Sequence, residues 1–321
     1  DKPFSGFKII VDAGNGAGGF FADKVLKPLG ADISGSQFLQ PDGNFPNHIP
    51  NPENKEAMES ICSAVIKNKA DFGIIFDTDV DRAGAVDYDG KEINRNTLIA
   101  LISAILLEEK SGAYIVTDSI TSDGLADFIH SRGGIHYRYR RGYKNVINKA
   151  IELNKEGKYC PLAIETSGHA ALKENYFLDD GAYLIVRLLI KMAELKKQGK
   201  KLNDLISDLK MPYEEAEIRL NFLCEDFKSY GQMIIEKLKE YAYINKDFIP
   251  AKDNHEGIRV SFAPGSGDGW FLLRLSLHDP ILPINIESNV KGGTKIIAQK
   301  LYNFLKDFNY LYTNKLQEFI K

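Results

Sequence analysis

Cysteine is scarce: Cys62, Cys160 and Cys224 are the only three among 321 residues, and none forms a CxxC or other zinc-type spacing. That count gives no disulfide framework and fits a reducing compartment. No charge of one sign dominates, because 41 Lys and Arg nearly balance 44 Asp and Glu, for a formal net charge of −3. Nothing electrostatic therefore points to nucleic acid as the main partner. Long hydrophobic runs are missing too. The longest, Leu98 to Leu107, is about half a membrane span and contains Ser103. The chain also opens without an initiator Met and without a basic-then-apolar leader. These absences lead us to expect a cytoplasmic protein with no membrane or nucleic-acid partner, present here as a fragment or a processed product. What remains is ordinary globular composition, 44% hydrophobic and 26% charged. At about 100–200 residues per domain, the length suggests two or three domains.

Two stretches alternate strand-like and helix-like patterns. In the first, Phe7–Val11 reads as a buried strand, followed by a glycine turn, a helix towards Leu29 and a second strand at Asp32–Ser36. Asn51-Pro52 supplies a helix start. Ala57, Ile61, Ala64 and Val65 then share one helical face. Phe72–Phe76 has the pattern of an internal parallel strand, and Tyr88-Asp89-Gly90 is a turn after another strand. The second stretch predicts helices over 96–108, 124–132, 143–153 and 181–198, with strands at 114–117, 135–138 and 162–164. After Met211-Pro212 the rhythm changes. Strands near 215–221, 258–263, 270–276 and 284–287 surround a helix over 230–240 and precede another over 294–306. Consecutive strands without intervening helices predict an antiparallel α+β domain. The expected architecture is two successive three-layer α/β domains with mixed sheets, residues 1–92 and 93–212, then a smaller α+β domain with an antiparallel sheet, 213–321.

Gly14, Gly16 and Gly19 satisfy GxGxxG after a strand, with Asp32 roughly where a ribose-binding acid is sought. Asp32, however, begins the second predicted strand instead of ending it. Asp12 also directs a carboxylate to where a pyrophosphate needs positive potential. We favour the blander reading, a turn that needs left-handed backbone and close packing.

The strongest chemistry lies in Asp77-Thr78-Asp79-Val80-Asp81-Arg82, which follows an apolar strand. Three carboxylates at alternate positions repel and raise one another's pKa values unless a cation sits among them. Hard oxygen ligands select Mg²⁺ or Ca²⁺, and Mg²⁺ typically pairs with a substrate phosphate. Arg82 has the fork that binds such a phosphate. An EF-hand is excluded, because Arg82 stands at loop position six and Tyr88 at position twelve. A strand ending in Asp-x-Asp also resembles the first motif of haloacid-dehalogenase-type phosphatases, with Asp179-Asp180 as later metal-binding acids. Against that alternative, Asp81 occupies a position where those enzymes want a small or β-branched residue.

At this loop the sequence resembles the α-D-phosphohexomutases, the phosphoglucomutase/phosphomannomutase family. Asp77 to Arg82 is similar to their magnesium loop, of the type Asp-Gly-Asp-x-Asp-Arg, and Glu165-Thr166-Ser167-Gly168-His169 to their sugar loop, Glu-x-Ser-Gly-His. Asp180-Gly181 follows at the familiar distance. Gly142-Tyr143-Lys144 resembles a loop that helps select the sugar face, and Asp42-Gly43 through Asn51-Pro52 is similar to the family's second domain. Arg274-x-Ser276-x-x-Asp279-Pro280 resembles the phosphate loop of its last domain, except that Leu277 and His278 replace small hydrogen-bonding residues. The motifs run in order over nearly the whole chain.

The resemblance implies an isomerase interconverting hexose 1- and 6-phosphates of glucose or mannose through phosphoserine and a bisphosphorylated sugar. It implies Mg²⁺ on Asp77, Asp79 and Asp81. It implies substrate contacts from Arg82, Lys144, Glu165, Ser167 and His169, and phosphate contacts from Arg274, Ser276 and His278. Glu165 and Ser167 would bind the sugar hydroxyls in either of two flipped orientations. The family's phosphoryl carrier is a serine in a Thr-Ala-Ser-His-Asn-Pro-like motif, and no such motif occurs here. We therefore expect domains two to four of a four-domain mutase, without its nucleophile and inactive alone, its missing partner being the N-terminal domain of the same polypeptide. The alternative without catalysis is a sugar-phosphate-binding protein.

Overall fold

Residues 2–276 and 279–321 are described by the structure, a computed structural model. The apolar run at the amino terminus forms strand β1, Ile9–Asp12, and the run at Phe72–Phe76 forms β2 over the residues expected. The two pair in parallel, from Ile9 opposite Phe72 to Asp12 opposite Ile75. Every residue in both is buried, the condition that selects unbroken apolar sequence. β2 turns back as antiparallel β3, Ala83–Asp87, and β4, Glu92–Ile93, completes the order β1-β2-β3-β4. The period of two sorts the side chains. Ile9, Val11, Ile74 and Phe76 face one core, while Ile10 and Ile75 face another with Ala57, Met58, Ile61, Ala64 and Val65 of helix α1, Lys55–Asn68.

Three expectations in this region change. Helix α1 starts later than Asn51-Pro52. Asn51 Oδ1 accepts the Glu53 N–H in a side-chain turn, and Asn54 Oδ1 caps the helix by accepting the Ala57 N–H at 3.0 Å. Asp32–Ser36 is not a strand: only isolated parallel bridges, Lys8 with Asp32 and Asp12 with Gln37, follow β1. Between them Asp32 Oδ1 accepts the Ser34 N–H, a local bond that competes with the ladder. The helix towards Leu29 is a π-helical segment, Phe21–Leu26.

A second mixed sheet contains β5, Tyr114–Thr117, β6, Ile135–Arg138, β7, Leu162–Ile164, and β8, Ala170–Leu172, in the order β6-β5-β7-β8. β5 and β7 are parallel, and β8 runs antiparallel to β7. Helices α2, Arg95–Glu109, α3, Asp123–Ser131, α4, Tyr143–Lys155, and α5, Gly181–Lys196, accompany it. α2 is buried continuously from Leu98 to Leu107, so the longest apolar run is a core helix with no polar face. No helix among the described residues is long and apolar enough to cross a membrane. α2 and α5 share one core with side chains from both sheets, and α4 packs Val146, Ala150 and Leu153 on β5 and β7.

The chain divides into two compact units, Asp1–Tyr137 with Arg141–Leu209, and Arg138–Arg140 with Lys210–Lys321. Among its described residues the second unit has one sheet, antiparallel throughout, ordered β10-β11-β12-β13-β9-β14. Its strands are β9, Glu214–Phe222, β10, Ile249–Pro250, β11, Ile258–Phe262, β12, Gly269–Leu273, β13, Ile281–Ser288, and β14, Leu311–Tyr312. Ile218, Leu220 and Phe222 alternate inward along β9. They join Ile234, Ile235 and Leu238 of α6, Phe227–Ile244, and Ile297 and Leu301 of α7, Gly293–Leu305. A last helix, α8, Asn314–Ile320, inserts Leu316 into the same core. The fold class is as expected: two mixed α/β sheets and an antiparallel α+β unit.

Candidate functional site

The aspartate loop joins β2 to its antiparallel neighbour β3, and its geometry is set from within. Asp77, almost wholly buried, accepts the N–H groups of Val80 (3.0 Å) and Arg82 (3.1 Å) on Oδ1 and the Arg82 Nε–H (2.9 Å) on Oδ2. Val80 is held at φ 72°, a costly conformation for a β-branched residue. Its carbonyl accepts the Gly181 N–H at 3.0 Å, so the first residue of α5 clamps the turn. A Cβ on Gly181 would lie 2.7 Å from the Arg82 carbonyl carbon. Arg82 also donates from Nη1 to Asn51 Oδ1 at 3.3 Å.

Asp77, Asp79 and Asp81 place one carboxylate oxygen each within 4.8 Å of one another. Burial, then the neighbouring Asp77 carboxylate, pushes the Asp81 carboxyl up to about 6. Asp81 Oδ1 is buried and meets no hydrogen-bond partner. Converging carboxylates with an orphaned oxygen form a set of hard donors that fits a divalent cation. Asp81 belongs as well to a second group, with His169 and Asp179, whose ligand atoms also lie within 4.8 Å.

The sugar-type loop occupies the corresponding place in the second sheet, between β7 and antiparallel β8. A tight turn forms it, with the Gly168 N–H donating to Glu165 O and the Glu165 N–H to His169 O. Gly168 has φ +99°, and a Cβ there would lie 2.7 Å from Ala83 O. That close approach brings the two loops together: Arg82 and His169 form an antiparallel bridge, and the Ala83 N–H donates to Gly168 O. His169 Nδ1 lies 2.7 Å from Asp179 Oδ2 and 3.7 Å from Asp81 Oδ2. The imidazole stacks on Tyr143, with ring centroids 5.1 Å apart at 25°. Although its burial acts the other way, the carboxylates of Asp179, Asp81 and Glu165 raise its pKa.

Glu165 is buried and accepts the Gly142 N–H on Oε1 at 2.6 Å. Burial, then the charge of Asp118, pushes its carboxyl up to about 7. Ser167 Oγ is buried without a hydrogen-bond partner. The structure thus brings Asp77, Asp79, Asp81, Arg82, Glu165, Ser167 and His169 into neighbouring loops of one unit. Lys144 stands exposed on the first turn of α4, its ammonium 5.9 Å over the Tyr143 ring. Arg274 and Ser276 lie in the second unit, where the Arg274 N–H donates to Pro283 O and Ser276 Oγ accepts the Asp279 N–H. His278 and Leu277 lie outside the described residues.

Sequence reasoning did not assign Asp118, Arg141 or Tyr143, and met Asp179 only as an acid of the phosphatase alternative. No local spacing marks Asp118 or Arg141, and Tyr143 was named only as the middle of Gly142-Tyr143-Lys144. The glycine loop, by contrast, is structural. Asp12 is wholly buried and accepts from Gly14 N, Gln37 Nε2, Ser60 Oγ and His48 Nε2. A Cβ on Gly19 would fall 1.9 Å from Leu39 O. Such packing requires glycine without any nucleotide.

The chain that carries these two loops matches two family models. They are the phosphoglucomutase/phosphomannomutase alpha/beta/alpha domain II over residues 2–90, and domain III of the same family over residues 94–213. The chain belongs to the phosphoglucomutase/phosphomannomutase family. It is 32% identical to the phosphoglucomutase of Neisseria gonorrhoeae over 91% of this chain and 60% of that protein. It is likewise 32% identical to the phosphomannomutase/phosphoglucomutase of Pseudomonas syringae pv. tomato, over 93% of this chain and 60% of that protein. A solved phosphoglucomutase/phosphomannomutase family protein from Burkholderia thailandensis superposes with a TM-score of 0.78 at 29% identity, covering 94% of this chain and 60% of that one. The chain therefore spans about 60% of the length of the curated relatives it matches.

Proposed function

We propose that this chain is the metal- and sugar-binding part of a hexose phosphate mutase acting on glucose or mannose 1- and 6-phosphates through a bisphosphorylated sugar. The observation that carries the reading is the meeting of the aspartate and Glu165–His169 loops across the Arg82–His169 bridge. On this reading Asp77, Asp79 and Asp81 hold Mg²⁺. The ion supplies positive charge that draws electron density from a bound phosphate. The remaining work falls to the chain's own residues. Asp77 fixes Arg82 through two bonds, so the guanidinium is oriented before substrate arrives.

Glu165, raised towards neutrality, can present either an acceptor or a donor to a sugar hydroxyl, and the unpartnered Ser167 Oγ can do the same. A site that accepts one sugar in two flipped orientations needs such two-way groups. His169 and Lys144 complete the substrate contacts; Arg274, Ser276 and His278 are assigned to phosphate. We assign the phosphoryl-carrying serine to a part of the polypeptide outside these residues, and retain domain bounds of 1–92, 93–212 and 213–321.

The test is turnover of glucose 1-phosphate and mannose 1-phosphate, with and without Mg²⁺, by the polypeptide that includes the serine motif. Replacement of Asp79 by Ala should abolish both activities. Wild-type turnover in that variant would overturn the assignment.

A further inference from the structure

We propose that Asp118 is a positioning residue that fixes the Glu165–His169 loop through Thr166, a role that rests on reading Glu165 and Ser167 as sugar-binding groups. Asp118 follows β5 directly, and the parallel register sets Thr117 opposite Ile164. One step further along both strands, Asp118 and Glu165 therefore emerge side by side. The carboxyl ends of adjacent parallel strands are where α/β sheets place ligands. Asp118 is completely buried. A buried carboxylate is costly unless its oxygens accept strong hydrogen bonds.

Thr166 meets that need twice, donating its hydroxyl to Oδ2 at 2.7 Å and its backbone N–H to Oδ1 at 3.4 Å. Arg141 adds charge, with Nε 4.0 Å from Oδ2, while its Nη2 reaches Glu53 at 3.5 Å. Two bonds to one residue fix both its side-chain rotamer and its backbone orientation. Because Thr166 lies between Glu165 and Ser167, fixing it limits where both neighbours' side chains start. From the other side, Gly142, next to Arg141, holds the Glu165 carboxylate by its N–H. The residue between Glu and Ser in the loop is thus the anchor of the loop, and its hydroxyl matters because a buried carboxylate lies beneath it.

The experiment is calorimetric titration of the full chain with glucose 1,6-bisphosphate. The variants are Asp118→Asn, Thr166→Val, Thr166→Ser and the Asp118→Asn/Thr166→Val double. Loss of one charge-assisted bond predicts about tenfold weaker binding for either Asp118→Asn or Thr166→Val. Thr166→Ser, which keeps the hydroxyl, should bind like wild type, and the double variant should lose no more than the worse single. Wild-type affinity in Thr166→Val, failure of Thr166→Ser to restore binding, or losses that multiply in the double variant would each overturn the proposal. If wild type itself does not bind, the sugar-phosphate reading fails. The anchoring role is then read from amide exchange at 165–169. Exchange should be faster in Asp118→Asn and Thr166→Val and unchanged in Thr166→Ser, and equal exchange in all four proteins would refute it.

Discussion

His48 Nε2 lies 3.0 Å from both carboxylate oxygens of Asp12, inside the turn that follows β1. The Asp12 hydrogen bond raises the His48 pKa above its ordinary 6.5, burial opposing it. A raised value means that the folded protein holds the proton more tightly than the unfolded chain. The pair's pH-linked stabilisation is therefore complete below about pH 6.5 and fades as pH rises through the folded-state value. We expect thermal melting between pH 5.5 and 8.5 to show this decline in wild type and a flatter profile in His48→Gln; parallel profiles would remove His48 from the pH response. The same pair shows what single residues conceal. Asp12 was legible as an acid badly placed for a pyrophosphate, but its partner lies 36 residues away. Asp77, Asp79 and Asp81 were legible as a converging set because alternate positions after a strand already suggest it. Asp118 was not, since one Asp after a strand carries no pattern and Thr166 is 48 residues distant.

Elements were readable wherever the local period was strong. β2, β5, β6 and β7 occupy the residues expected, because buried strands, or for the part-exposed β6 the Gly133-Gly134 turn before it, mark their own ends. β8, only Ala170–Leu172, was missed: three small or aliphatic residues give no alternation to detect. The loops before β3 and β8 show how the edges of two sheets come together. Gly168 lets the sugar-type loop approach Ala83 with φ +99°, a conformation and a distance that a side chain would forbid. Gly168→Ala should destabilise the protein by about 1–3 kcal/mol and weaken glucose 1,6-bisphosphate binding as well. Calorimetry of melting and of binding checks the two effects separately. Normal affinity in a destabilised variant would mean that the bridge from Arg82 to His169 is not needed by the site.

At the scale of the molecule, the second unit's core, among the described residues, gathers side chains between Ile218 and Ile320. Lys210, Met211 and Tyr213 are exposed just before β9. Brief trypsin treatment should cut after Lys210 and release a carboxy-terminal fragment with native circular dichroism; an unfolded fragment would show that its core is incomplete. Composition, periodicity and motif order were enough to determine the classes of fold and to single out the aspartate loop, because burial on one or two faces and carboxylates at alternate positions leave local signatures. Tertiary structure alone decided the partnerships: His48 inside on Asp12, Asp118 beneath Thr166, and Arg82 against His169. The first depends on how a loop folds back on β1, the second on how two strands are registered and the third on where two sheets meet, and a short window of sequence contains none of these.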